Sequence, residues 1–223
     1  KVAQYAAVTL VEAGPRLLPS FTEKSSAHAK SELEELGVKV MVDSAVDRMY
    51  PGDVHLKSGE VLPAGTIIWA AGVAAPAEWN VLGETDRSNR LIVSDTLRLQ
   101  PNVWVLGDMA HVIGAGDRPL PMVASVAMQQ GRYVAASIEK ILKGEEPQPF
   151  SYKDKGQMAT IGRRRAVVEM PNGIKLHGTI AWFAWLGLHV FYLAGGRNRI
   201  SVMADWFWNY IFWGVGPKRP VID

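Results

Sequence analysis

The sequence has 223 residues, more than the usual domain of about 100 to 200, which predicts one large domain or two unequal ones. Hydrophobic residues make up 48% and charged residues 21%, a globular balance that excludes a disordered or collagen-like chain. The chain contains no cysteine, which excludes a disulfide framework, a zinc ribbon and a thiol nucleophile from this stretch.

Charge and aromatic residues are unevenly distributed. Residues 1–150 hold 14 basic and 18 acidic side chains, whereas residues 151–223 hold 10 and 4. Eleven of the 20 aromatic residues lie between Trp182 and Trp213, where Arg197 and Arg199 are the only Lys or Arg residues. Nucleic-acid surfaces interleave aromatic residues with many cations. The tail therefore predicts a membrane-facing surface and no nucleic-acid partner.

The first part of the chain has the pattern of a dinucleotide-binding unit. A strand is predicted over 6–11, a helix over 22–36, and short strands over 38–42, 46–49, 54–56, 61–62 and 66–69. In such a unit an acidic residue at the end of the second strand binds the ribose hydroxyls. Glu12 has this position, although an ordinary solvated strand end is the alternative. The glycine-rich fingerprint is expected about 20 residues earlier, upstream of Lys1, which predicts a piece of a longer protein.

A second nucleotide site is indicated in the middle of the chain. Residues 67–73 are predicted to form a buried strand running into the small residues Ala71 and Gly72, and residues 103–106 a second strand ending in Gly107 and Asp108. Ligands collect beyond the carboxyl ends of strands in doubly wound sheets, so Asp108 is placed to accept hydrogen bonds from a polyol. A turn or helix-cap aspartate is the alternative.

The stretch after Pro121 is predicted to be helical. Ala124, Ala127, Gly131 and Ala135 are spaced for one tightly packed helical face. Gln129 and Gln130 follow the same stretch, and surface glutamines are their simplest interpretation. The Gly-Asp pair lies upstream of this helix, and the combination is more informative than either motif alone.

Taken in order, these motifs and the Trp-rich tail resemble the type II NADH dehydrogenases, which are single-chain, non-proton-pumping flavoproteins. The resemblance covers essentially the whole chain as the C-terminal part of that family. It implies an α/β fold (α+β overall): the C-terminal half of a two-Rossmann-domain flavoprotein, followed by a small membrane-associating domain of a hairpin and helices. The implied domains are 1–75 (NADH-binding), 76–147 (FAD-binding) and 148–223 (membrane-anchoring).

The resemblance also implies roles for individual residues. For NADH, contacts are expected from Glu12 to the adenosine ribose and from Ala71 and Gly72 along the nicotinamide path. For FAD, contacts are expected from Gly107 and Asp108 to the ribitol and from Ala127 and Met128 to the isoalloxazine. Lys218 is expected near the flavin. Gln129 and Ser125 would border a membrane quinone. The family commonly has Ala-Gln where this chain has Ala124-Ser125, so a quinone contact from Ser125 is in doubt. The cofactor carries the chemistry, so no acid–base triad and no metal ligand are expected.

The tail predicts two helices. Residues 178–195 carry no formal charge and would form roughly 27 Å of helix. The next segment is amphipathic, with Ser201, Asp205 and Asn209 on one polar stripe. We predict that both helices lie on a bilayer; a membrane span by 178–195 and an oligomer interface, as in a homodimer, are the alternatives.

The activity implied by the resemblance is FAD-dependent oxidation of NADH with electron transfer to a membrane quinone, at the cytoplasmic face of the cell membrane. Another flavin-dependent quinone reductase, such as a sulfide:quinone reductase, is one alternative. A non-catalytic membrane-binding flavin-fold module is the other, since a fold does not fix a function.

Overall fold

A computed structural model describes residues 7–114 and 117–211. The chain divides into two compact units, one formed by residues 1–66 with 156–223 and the other by residues 67–155. The described part of the first unit contains β1 (Val8–Val11), α1 (Glu23–Glu35), β2 (Val38–Met41), β3 (Val46–Tyr50), β4 (Gly52–Leu56), β5 (Val61–Ala64), β10 (Gln157–Gly162), β11 (Arg165–Glu169), β12 (Lys175–His177), α3 (Gly178–Tyr192) and α4 (Gly196–Ile211). The second contains β6 (Leu91–Ile92), β7 (Arg98–Gln100), β8 (Val103–Trp104), β9 (Ala110–His111) and α2 (Ala124–Leu142).

The first unit begins with a β-α-β motif. Strands β1 and β2 pair in parallel, with Val8 opposite Val38 and Val11 opposite Met41. Helix α1 connects them, as the sequence predicts, and buries Ala29. Strands β3, β4 and β5 then form the predicted antiparallel meander. The C-terminal ends of β1 and β2 therefore lie together, where a nucleotide binds in this kind of motif.

The predicted hairpin of the tail is confirmed and gains a third strand. Strands β10, β11 and β12 are antiparallel, and β11 buries Ala166, Val167 and Val168 almost completely. Helix α3 packs on this sheet through Ala181 and Trp182. The carboxylates of Glu32 and Glu35 in α1 pair with Arg165 of β11, which ties the sheet to α1.

The second unit has one apolar core. Leu91, Leu97, Val105, Ala110, Val112 and Val134 form a buried cluster. Strands β6 and β9 pair in parallel, and β7 and β8 pair antiparallel. The predicted helix is α2, but the prediction of its packed face is wrong. Its buried residues are Val126, Gln130, Val134 and Ser137, while Ala124 and Ala135 are exposed. Val126 and Val134 offer more apolar area to the core than Ala, and the Gln130 side chain is bonded to the Gly107 loop.

The strand predicted over 66–69 is wrong. The chain has no strand between β5 and β6, and the side chains of Ile68 and Trp69 are 85% and 64% exposed. The strand predicted over 103–106 is shortened to Val103–Trp104. An apolar run forms a strand when neighbours pair with its backbone and cover its faces, and in the described part of the chain no strand pairs with residues 67–73.

The two helices predicted in the tail are confirmed as α3 and α4. In α4, Val202 and Trp206 are half-buried, whereas Ile200, Met203, Phe207 and Trp208 are between 47% and 66% exposed. Within residues 7–114 and 117–211, no helix combines the length and hydropathy needed to cross a membrane. Exposed apolar side chains therefore occur on both α3 and α4.

Candidate functional site

The Gly107–Asp108 loop is the best-defined part of the candidate site. Gly107 has a φ of +66°, and its backbone N–H donates to Gln130 Oε1 at 2.6 Å. Gln130 is 1% exposed, so this bond is sheltered from water. A Cβ on residue 107 would lie 3.4 Å from the Cβ of Ala127. Glycine is suited to this position because the left-handed backbone disfavours a side chain.

Asp108 extends from this loop toward solvent. Its carboxylate is exposed, and it makes no hydrogen bond or ion pair with any described residue. Both oxygens therefore remain able to accept hydrogen bonds from a ligand. The structure brings Gly107 and Ala127 into contact range, with half-buried Met128 next in α2, so these sequence-predicted cofactor residues belong to one region of the second unit.

The two predicted quinone residues are held by the segment that follows α2. The Gln129 amide donates to the backbone O of Lys153 at 2.9 Å and accepts from the Lys153 N–H at 3.0 Å. Its Nε2 also contacts the Ser125 carbonyl at 3.1 Å. The Ser125 hydroxyl lies 2.9 Å from the Tyr152 hydroxyl. Both side chains thus have partners within the protein, and their contact with a quinone stays a prediction.

Tyr152 and Gln130 were missed as functional positions by the sequence reasoning. Gln130 occurs beside Gln129, and only the register of α2 shows which glutamine supports the Gly107 loop. Tyr152 follows a proline-containing stretch, and no periodic pattern links it to Ser125 across 27 residues. Side chains that meet across a loop leave no local sequence signal.

Glu12 is the predicted nucleotide residue of the first unit. It follows β1, and its Oε1 accepts a hydrogen bond from the Gly14 N–H at 2.7 Å. Its other carboxylate oxygen has no hydrogen-bond partner among the described residues. Glu12 therefore holds its own turn with one oxygen and can offer the second to a ligand hydroxyl at the C-terminal end of the β1–β2 pair.

The remaining predicted cofactor residues are Ala71, Gly72 and Lys218. Ala71 and Gly72 are exposed in the second unit, and Gly72 has a φ of +111° with open space where a Cβ would point. Their contact with nicotinamide stays a prediction. Lys218 lies outside the described residues.

A charged network that sequence reasoning missed organises the loops of the second unit. The Asp86 carboxylate lies 2.7 Å from the Arg90 guanidinium and 3.0 Å from His111 Nδ1. Arg90 is 8% exposed and also donates to the Leu120 carbonyl at 2.8 Å. Burial alone would raise the pKa of Asp86, but the hydrogen bonds from His111 and Arg90 outweigh it and hold that pKa well below its usual range.

A second carboxylate has a perturbed pKa in the first unit. Glu169 at the end of β11 is 9% exposed and accepts hydrogen bonds from the backbone N–H and the hydroxyl of Thr22. Burial opposes the charged form of Glu169. Hydrogen bonds from Thr22 and Gln157 favour it more strongly and lower the pKa to about 2.

Comparison with known families places this geometry in context. The profile of the pyridine nucleotide-disulphide oxidoreductase family matches residues 2–131, more than half of the chain. The chain belongs to the pyridine nucleotide-disulphide oxidoreductase family. The NDH2 C-terminal domain profile matches residues 155–213, the part that contains β10 to α4. The resemblance to type II NADH dehydrogenases drawn from the sequence is thereby confirmed, and so is the fold class.

Curated relatives of this chain are named type II NADH:quinone oxidoreductases. A Mycobacterium tuberculosis protein named type II NADH:quinone oxidoreductase NdhA is 36% identical over 215 residues, covering 89% of this chain and 44% of that protein. A Staphylococcus aureus type II NADH:quinone oxidoreductase is 37% identical, covering 72% of this chain and 41% of that protein. The chain thus spans less than half the length of these relatives.

A solved structure shows the same fold. NDH2 from Plasmodium falciparum, determined in complex with NADH, superposes with a TM-score of 0.80 at 18% sequence identity. The match covers 99% of this oxidoreductase chain and 60% of that chain. At this level of identity the likeness concerns the fold alone.

Proposed function

We propose that the complete protein oxidises NADH with FAD and transfers the electrons to a membrane quinone. The observation that carries the proposal is the Gly107–Asp108 loop, which is bonded to α2 and carries a carboxylate with no hydrogen-bond or ion-pair partner among the described residues. Support comes from membership of the pyridine nucleotide-disulphide oxidoreductase family and from relatives named type II NADH:quinone oxidoreductase.

The residues present fit FAD. Asp108 has two acceptor oxygens for the ribitol hydroxyls and no described protein partner to displace. Gly107 and Ala127 carry little or no side chain at the point where the loop meets α2, so a flat ring system can approach the backbone there. FAD, when bound, supplies the hydride acceptor and the route of the electrons. The role of the chain is to position it.

Glu12 fits the ribose of NADH. Its free carboxylate oxygen can accept hydrogen bonds from vicinal hydroxyls, and its negative charge would repel the additional phosphate of NADPH. Because Gly14 already holds Oε1, the carboxylate is oriented before the ligand arrives. We therefore assign NADH as the preferred nucleotide.

A membrane surface suits the tail. Helices α3 and α4 expose Phe183, Phe191 and Phe207 by 61%, 66% and 65%. Aromatic and aliphatic side chains flanked by cations favour the interface between lipid and water. We propose that the protein reduces a quinone dissolved in the bilayer, with Gln129 and Ser125 as its neighbours. We assign the protein to the cytoplasmic face of the membrane.

Two alternatives are weighed against this function. A sulfide:quinone reductase uses cysteines near the flavin, and this sequence has none, which disfavours it for the residues given. A non-catalytic module would use the same fold as a scaffold. The relatives named type II NADH:quinone oxidoreductase favour the catalytic function over the scaffold.

The test uses the full-length protein in detergent. NADH oxidation is measured with and without a soluble quinone analogue, and we expect turnover that depends on the quinone. Asp108→Asn should lower the affinity of the protein for FAD about tenfold, the effect of losing one hydrogen bond to a charged group. The amount of flavin bound to the purified protein should fall with it. Glu139→Gln, an exposed carboxylate on α2, is the matched control. Quinone-independent turnover, or none at all, contradicts the proposal.

A further inference from the structure

One side of helix α2 carries three polar side chains that bond to the segment following the helix. Ser125, Gln129 and Tyr133 are spaced four residues apart, so they lie on the same side of α2. Their partners belong to residues 148–153, which therefore run back along this side of the helix. The bonds join the Tyr133 hydroxyl to the Gln148 carbonyl at 2.6 Å, the Gln129 amide to both backbone groups of Lys153, and the Ser125 hydroxyl to the Tyr152 hydroxyl.

The backbone of this segment is fixed on both sides of Tyr152. On one side, the Gln129 amide bonds the Lys153 carbonyl at 2.9 Å and the Lys153 N–H at 3.0 Å. On the other side, the Phe150 N–H donates to the Asp95 carbonyl at 2.8 Å. Because residues 150 and 153 are both bonded to other parts of the second unit, the Tyr152 hydroxyl is placed at α2 before any ligand binds.

The pair of hydroxyls leaves one hydrogen for a third group. The Ser125 and Tyr152 oxygens are 2.9 Å apart, and both residues are half-buried, so the pair keeps some access to solvent. Each hydroxyl has one hydrogen to donate and two lone pairs with which to accept. A phenol is more acidic than an aliphatic alcohol, so Tyr152 is the better donor within the pair. The Ser125 hydrogen then points away from Tyr152 and can be donated to a carbonyl oxygen of a ligand.

A serine at this position needs an orienting neighbour more than a glutamine does. A serine hydroxyl rotates among three staggered positions, and in a helix one of them bonds the carbonyl four residues earlier. A glutamine amide reaches further and carries two N–H donors. The family that the sequence resembles commonly has glutamine where this chain has Ser125. The serine therefore presents a donor in a fixed direction only because Tyr152 holds its oxygen.

We propose that Tyr152 is a positioning residue of the quinone site, which orients the Ser125 hydroxyl so that it donates to a quinone carbonyl oxygen. This inference rests on the proposed function, in which Ser125 borders the quinone. It adds a residue outside α2 and gives the serine the role of the more common glutamine. Tyr152 acts through Ser125 and needs no contact of its own with the quinone.

The test is a double-mutant cycle in the full-length protein, with Ser125→Ala, Tyr152→Phe and both changes together. The readout is kcat/KM for a soluble quinone analogue, divided by the NADH oxidation rate with ferricyanide, which accepts electrons from reduced flavin. We expect each single change to lower this ratio about three- to tenfold, the effect of one hydrogen bond. The double change should lower it no further, because both single changes remove the same interaction.

Restoring the glutamine separates an orienting role of Tyr152 from a purely structural one. Ser125→Gln in the Tyr152→Phe protein should recover most of the lost ratio, because the amide donor does not depend on the phenol. Tyr50→Phe removes the hydroxyl of a tyrosine that is 48% exposed in the first unit, and it should leave the ratio unchanged.

Three results would overturn the role of Tyr152. They are a ratio that Tyr152→Phe leaves unchanged, single losses that multiply in the double variant, and no recovery with Ser125→Gln. An equal fall of the quinone and ferricyanide rates leaves the ratio unchanged and shows that Tyr152 only supports the fold. Turnover of the unmodified protein that needs no quinone contradicts the proposed function itself, whereas quinone-dependent turnover with multiplying losses contradicts this inference alone.

Discussion

At the scale of single residues, Gln130 accepts the hydrogen bond from the Gly107 N–H that joins the Gly107–Asp108 loop to α2. Gln130→Leu keeps the approximate volume but leaves the Gly107 N–H without its acceptor. We expect the free energy of unfolding to fall by about 1 to 3 kcal/mol, the cost of an unsatisfied buried donor, and the flavin content of the full-length protein to fall with it. Chemical denaturation and flavin absorbance measure the two effects.

The control for this change is Gln148→Leu, because Gln148 is exposed and its side chain makes no hydrogen bond with the described residues. A Gln130→Leu protein with the stability and flavin content of the control would show that the loop does not need the bond.

At Glu12, we propose that the negative charge sets the choice between NADH and NADPH. Glu12→Gln preserves an oxygen for the Gly14 N–H but removes the negative charge. We expect the ratio of kcat/KM for NADH to that for NADPH to fall about tenfold, a change of about 1.4 kcal/mol, because the 2′-phosphate is no longer repelled. Steady-state kinetics with both nucleotides measure it, and Glu60→Gln, an exposed carboxylate in the same unit, is the control. An unchanged ratio would remove Glu12 from the nucleotide site.

At the scale of elements, Glu169 connects β11 to the start of α1. Its pKa is lowered from 4.5 to about 2, so the charged form stabilises the fold at pH values above 4.5. This contribution is lost as the pH falls from 4.5 toward 2. We expect Glu169→Gln to lower the free energy of unfolding by about 1.5 to 3 kcal/mol at pH 7, the range for a hydrogen bond to a charged group. The difference from the unmodified protein should shrink across that acid window.

Thermal unfolding at a series of pH values measures this difference. Glu34→Gln is the matched control, since Glu34 makes an exposed ion pair with Lys30 at 3.8 Å, and such pairs contribute little. A deficit in Glu169→Gln that is the same at every pH would contradict the role of the carboxylate charge.

The elements that the sequence predicts well are those with strong local patterns. Helix α1 is predicted over 22–36 and runs from Glu23 to Glu35, and the hairpin and both tail helices follow turn and apolar signals. The strand predicted over 66–69 fails because strand formation depends on neighbours that a local pattern does not contain. The packed face of α2 fails for a related reason: the core decides which residues are buried, and it selects Val126, Gln130 and Val134 over the alanines.

The candidate site shows the same limit. Asp108 and Glu12 could be proposed as site residues from the sequence because each follows an apolar strand and precedes a turn. The bonds from Gln129 to Lys153 and from Ser125 to Tyr152 could not, because they join residues 24 and 27 positions apart through an irregular segment. Sequence patterns identify residues by their local setting, whereas hydrogen-bond partners across a loop are set by tertiary packing.

At the scale of the whole molecule, we propose that the exposed aromatic side chains of α3 and α4 attach the protein to a membrane. We expect the double change Phe183→Ser with Phe207→Ser to weaken sedimentation with vesicles at least tenfold, because burying each ring contributes about 1.5 to 3 kcal/mol. Val81→Ser, which is 86% exposed in the second unit, is the control. Analytical ultracentrifugation of the same proteins tests the alternative: variants that dissociate a dimer and still bind vesicles would identify this surface as an oligomer interface.

The first unit is assembled from two stretches of chain separated by the second unit, and this has a consequence for synthesis on the ribosome. Arg165 lies 133 positions after its partner Glu32 in the sequence. Helix α1 therefore leaves the ribosome long before the sheet that packs on it is translated. Residues 67–155 are synthesised before the second stretch of the first unit. The second unit can therefore fold on the ribosome while α1 still lacks its partner strands. A chain halted before β11 would leave Glu32 and Glu35 without Arg165 and would be a natural substrate for chaperones.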